Sequence, residues 1–100
     1  MTVTPIAVGR GLRELGRHVS TWRKLQRLTT TQVAERAGIS RDTLRSIEQG
    51  TGTASSENLL RVMRALGALD AFVASADPYL TDVGKLRADE ALPKRVRGNR

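Results

Sequence analysis

Between Gly38 and Gly50 the chain reads Ile-Ser-Arg-Asp-Thr-Leu-Arg-Ser-Ile-Glu-Gln, and its side chains divide into two sets. Leu44 and Ile47 are apolar and three apart, so a helix would place them on one face. Arg41, Asp42, Thr43, Arg45 and Ser46 fall outside that face. These are short or forked polar groups, the chemistry that reads base edges and phosphates in a DNA major groove. Arg41 is the best-placed donor for a bidentate bond to guanine, with Asp42 and Ser46 as secondary readers. Arg45 is divided between base and phosphate, and Ser40 joins the set at the start of the helix. Upstream, Thr29, Thr30 and Thr31 open another helix, where free amides and hydroxyls can hold a backbone phosphate.

Other chemistry is poorly represented. The chain has no cysteine and a single histidine, which excludes disulfides and leaves almost nothing to build a zinc site. Gly9, Gly11 and Gly16 do not have the spacing of a dinucleotide fingerprint, and no strand precedes them. His18, alone on a basic helix, offers no nucleophile–base arrangement and is expected at the surface. Neither catalysis nor a cofactor is expected. Lys plus Arg number 17 against 10 Asp plus Glu, a net charge of +7, which points to a polyanionic partner, nucleic acid before membrane surface. No apolar run is long enough to span a bilayer or form a secretory signal core, so a cytoplasmic location is expected.

Helical elements must position these residues. Leu12, Leu15, Val19, Trp22 and Leu25 step by three or four, which predicts an amphipathic first helix with Trp22 in the core. Thr29 followed three residues on by Gln32 is a capping box, opening a short helix from Thr30 to Ala37 that Gly38 ends. Ser40 caps the next helix, Arg41 to Gln49, which Gly50 closes. Ala34 gives two steeply crossing helices room to approach, and Ile39 plugs the turn. Ser55 or Ser56 starts a fourth helix through Leu59, Leu60, Val62, Met63 and Leu66, ended by Gly67. A fifth, from about Leu69 to Ala74, would cover the core with Leu69, Phe72 and Val73. The expected fold class is all-α with five helices.

Residues 1–9 contain β-branched residues, Pro and Gly without a period, and are expected to form a flexible N-terminal arm. Residues 10–76 are expected to form the helix-turn-helix domain, and residues 77–100 a basic tail after the Asp77-Pro78 break. Residues 1–40 carry seven bases against two acids, whereas 41–76 carry four of each. The last eight, Pro93 to Arg100, carry four bases and no acid, and would add nonspecific DNA affinity.

The ordered set Leu28-Thr29, Val33-Ala34-Glu35-Arg36-Ala37-Gly38, Ile39-Ser40, Leu44, Ile47-Glu48-Gln49-Gly50, Leu59-Leu60 and Ala65-Leu66-Gly67 resembles the lambda-repressor/Cro (XRE) helix-turn-helix family across about residues 12–73. The resemblance implies a five-helix DNA-binding domain whose third helix, Arg41 to Gln49, enters the major groove. It also implies an internal ion pair between Arg23 and Glu48. Two departures stand out: Thr30 replaces the Gln common in that family, and the loop after Gly50 lacks its usual base, leaving Thr51 and Thr53 as weaker phosphate contacts.

One such domain covers few base pairs, so a homodimer on a near-palindromic operator is expected, with Leu69, Phe72, Val73, Tyr79, Leu80 and Val83 as its candidate interface. Ala65 to Asp70, the Asp-Pro boundary and the run Leu92-Pro-Lys-Arg-Val-Arg97 are similar to HipB-like antitoxins. That second resemblance implies autorepression and binding of a HipA-type kinase toxin. A stand-alone repressor remains the alternative. A protein-interaction module that never meets DNA is the third class, and its mark would be DNA affinity indifferent to salt.

Overall fold

A computed structural model describes residues 3–91. All of its regular structure is helical: α1 (Ile6–Leu25), α2 (Thr30–Ala37), α3 (Arg41–Gln49), α4 (Ser56–Ala65), α5 (Leu69–Ala74), a 3₁₀ turn (Pro78–Leu80) and α6 (Asp82–Ala91). The chain divides into two compact units, one running to Leu69 and the other beginning at Asp70.

In the first unit the local signals act where the sequence places them. The Thr29 hydroxyl accepts from the Gln32 amide at 3.0 Å, and the Gln32 side chain accepts from the Thr29 amide at 2.8 Å. Ser40 and Ser55 cap α3 and α4 in the same way, each accepting the amide three residues on. Gly38 and Gly50 take left-handed φ values of 71° and 70°, which close α2 and α3 without the steric cost of a Cβ. Arg61 donates to the Ala37 carbonyl at 3.4 Å, helping to satisfy the end of α2.

The core draws on α1 to α4: Val19 from α1, Val33, Ala34 and Ala37 from α2, Leu44 and Ile47 from α3, and Val62 and Met63 from α4, with Leu66 just beyond. α1 lies on α3, and α2 on α4. The face of α1 differs from the one expected. Gly16 and Val19 are buried, whereas Trp22 is 48% exposed and Leu25 70%. At about 100° per residue, Arg23 lies nearer the Gly16–Val19 line than Trp22 does, so Arg23 turns inward and the indole turns out.

Three further expectations are corrected. Helix α1 begins at Ile6, inside the expected arm; once a long helix exists, adding Ile6 to Gly9 is propagation, which carries no nucleation cost. α5 buries no residue fully: Val73 is 56% exposed, and Leu69 and Phe72 are half-buried. A sixth helix forms in the expected tail, where the Thr81 hydroxyl accepts from the Gly84 amide at 2.9 Å. Its only apolar spacing is Val83 to Leu86, too little to show as amphipathic. The basic run from Pro93 to Arg100 lies outside the described residues.

Arg27 ends α1 in the left-handed region at φ 57°. Its amide donates to the Lys24 carbonyl and the Leu28 amide to that of Arg23, a Schellman closure that normally uses glycine. Arg27→Gly is therefore expected to stabilise the protein by roughly 0.5–1 kcal/mol, because the left-handed penalty exceeds the added freedom of the unfolded chain. A rise in the urea midpoint would show it, and a fall would mean that the Arg27 side chain holds the turn.

Candidate nucleic-acid interface

The position of α3 is set from behind. A Cβ built on Gly16 would lie 2.6 Å from the Ile47 carbonyl oxygen and closer still to that of Glu48, so the α1 backbone rests directly on the last turn of α3. Gly50 makes the reciprocal approach, where a Cβ would lie 2.7 Å from the Arg13 amide nitrogen and Cα. Reading Gly16 only for a nucleotide fingerprint missed this contact; a glycine midway along an otherwise sound helix was the available signal.

Beside these contacts, Arg23 Nε donates to Glu48 Oε2 at 2.8 Å and its Nη2 to Oε1 at 3.1 Å, while Nη1 donates to the Leu28 carbonyl. The pair is largely buried, its side chains 13% and 11% exposed. The Glu48 hydrogen bond holds the guanidinium above its ordinary pKa, opposed by desolvation. A raised folded pKa keeps its stabilising effect at every pH below the ordinary arginine range. The arginine therefore introduces no pH dependence near neutrality.

On the opposite side, α3 exposes Arg41, Asp42 and Arg45 to solvent. Arg45 Nη1 donates to Asp42 Oδ1 at 3.1 Å across one turn. Ser40 donates its only O–H to Thr43 Oγ1 at 2.9 Å while accepting the Thr43 amide. Its hydroxyl is thus used within the cap, and the Thr43 O–H is left as the outward donor. Ser46 is half-buried along a cleft lined by Leu12, Leu15, Ile47 and Leu59, so it sits less openly than Arg41 or Arg45. Its carbonyl accepts from both the amide and the hydroxyl of Thr51, and Thr51 Oγ1 lies 3.1 Å from that of Thr53. Thr51 therefore closes the end of α3.

Thr29, Thr30 and Thr31 are exposed at the start of α2. The Thr29 hydroxyl accepts within the cap and keeps its proton to donate. The amides of Thr30 and Thr31 belong to the first turn, which a helix leaves unpaired. Sequence reasoning passed over Gln49, which is exposed and lies seven residues beyond Asp42 and four beyond Arg45, on the same outward face. Its place beside the terminating Gly50 hid that spacing.

Among the described residues no group of His, Cys, Asp and Glu could hold a metal ion, and no helix is long and apolar enough to cross a membrane. A family model described as a helix-turn-helix domain matches residues 14–76. No curated protein and no solved structure matches the chain.

Proposed function

The chain belongs to the helix-turn-helix domain family, with an all-α, lambda-repressor-like fold that supports a DNA-binding regulator, and on that premise we propose that it is a sequence-specific repressor. The observation that carries this reading is the two-sided α3: Leu44 and Ile47 buried against the core, Arg41, Asp42 and Arg45 exposed beyond it. In this reading α3 enters the major groove, with Arg41 bidentate to a guanine and Thr43 and Ser46 beside it. Thr29, Thr30 and Thr31 hold a phosphate at the start of α2, while Ser40 and Thr51 act mainly by fixing the two ends of α3. The net charge of +7 supports the same partner.

The experiment is selection of bound duplexes from a random pool, followed by fluorescence anisotropy over a salt series. Affinity should fall steeply with salt, as several phosphate contacts require. An interaction module would show no such slope. Arg41→Ala is expected to weaken the selected site by about 5- to 150-fold and to relax one base position. Unchanged binding would remove Arg41 from the interface.

The finer reading is a homodimeric, HipB-like antitoxin that represses its own operon and binds a HipA-type kinase. The apolar side chains of Tyr79, Leu80, Val83 and Leu86, all exposed in the second unit, support a protein partner. They suit self-association equally, and so also support a stand-alone dimeric repressor. A pull-down from the native host, washed with nuclease and high salt, separates the two. One stoichiometric kinase supports the antitoxin, and the protein alone supports the repressor.

A further inference from the structure

The exposed pair on the outward face of α3 is not arranged like two independent contacts. Asp42 and Arg45 are one turn apart and joined at 3.1 Å, with side chains 90% and 63% exposed. The bond uses one carboxylate oxygen and one guanidinium nitrogen. The other oxygen and the remaining N–H groups are left for something outside the chain. We propose that Asp42 and Arg45 act as one unit that reads a single G·C base pair, an inference that rests on the DNA-binding reading above.

The argument is one of matching patterns. Across the major groove a G·C pair presents two acceptors, guanine N7 and O6, and then one donor, the cytosine N4 amine. A hydrogen-bonded Arg–Asp pair presents the complement, forked donors beside an acceptor. Arg45 bonds the guanine while Asp42 accepts from the cytosine amine, and their mutual bond holds the two at neighbouring spacing. An A·T pair places an acceptor, thymine O4, beside its donor. The Asp42 carboxylate would then face either that oxygen or an amine at the wrong place.

Asp42 also settles what Arg45 does. A carboxylate is repelled by phosphate, so a guanidinium held on Asp42 is directed toward the bases and away from the DNA backbone. Alone, Arg45 would be free to bond the nearest phosphate, which carries no sequence information. Asp42 is thus a specificity-determining residue whose charge lowers general DNA affinity and raises discrimination.

The test uses the full chain, with sites selected by the wild type, then Asp42→Ala, Arg45→Ala and the double variant. Each is measured by anisotropy on the selected duplex and on duplexes changed one base pair at a time. Both residues are exposed, so thermal midpoints should stay close to wild type. Both single variants should lose preference, by about 5-fold or more, at the same G·C pair. The double variant should lose no more than the worse single, and Asp42→Ala should bind unrelated DNA more tightly. Relaxation at two different base pairs would overturn the proposal. So would uniformly tighter binding by Asp42→Ala with preference intact, which would make the carboxylate a simple repellent charge. A wild type that selects no sequence would remove the repressor reading as well, so the two failures are told apart.

Discussion

Gly16→Ala is expected to destabilise the protein by about 2 kcal/mol, within the range for overpacking a close contact, and to lower the thermal midpoint by roughly 8–16 °C. The new methyl would meet the backbone carbonyls of Ile47 and Glu48, not the end of a flexible side chain. Backbone cannot rotate away, so α1 and α3 must separate. The effect runs against helix propensity, which favours alanine over glycine by about 1 kcal/mol. Gly11 supplies the internal control: a Cβ there meets nothing within 4 Å, so Gly11→Ala should show that gain undiminished. Circular dichroism melts of the two variants decide the matter. Equal or greater stability of Gly16→Ala would mean that α1 and α3 do not touch as described. Displacement of α3 would also move Arg41, Asp42 and Arg45, so DNA affinity should fall even where the variant remains folded.

Arg23→Ala is expected to cost about 3 kcal/mol, the low end for breaking a buried pair, because a trace of solvent still reaches both side chains. Glu48 would be left largely buried without its bidentate partner, and the Leu28 carbonyl would lose a donor. Arg23→Lys should recover little, since an ammonium cannot reproduce the fork. The informative variant is Arg23→Met with Glu48→Leu, which removes both charges and should restore most of the loss. Urea unfolding of the wild type, Arg23→Met, Glu48→Leu and the double variant gives the coupling between the two residues. If the double variant were as damaged as the sum of the singles, the two residues would not be acting as a pair. Loss of DNA binding in Arg23→Ala would reflect unfolding first, since Arg23 is held inside the domain by Glu48.

Much of the first unit was legible before folding because its signals are local. The Thr29–Gln32 box, the Ser40 and Ser55 caps and the left-handed glycines act within four residues, so types and spacing alone delimit α2 and α3. The outward position of Arg41, Asp42 and Arg45 follows from the same periodicity once Leu44 and Ile47 point inward. The state of each hydroxyl was not legible. That Ser40 gives its proton to Thr43 depends on rotamers, and that Ser46 lies half-buried depends on Leu12, Leu15 and Leu59 from other elements.

By itself, then, the sequence determined the helical class, the two short helices and their turn, and the polar face that suits DNA. Each is a matter of period and capping over a few residues. Tertiary structure alone decided that Gly16, Val19 and Arg23, and not Trp22, form the working face of α1. It also decided that α5 adds no buried residue. The physical reason is distance along the chain. Several neighbouring stripes of α1 satisfy a helical period, and the choice among them is made by the distant backbone carbonyls of Ile47 and Glu48 and by the Glu48 carboxylate, 25 residues from Arg23.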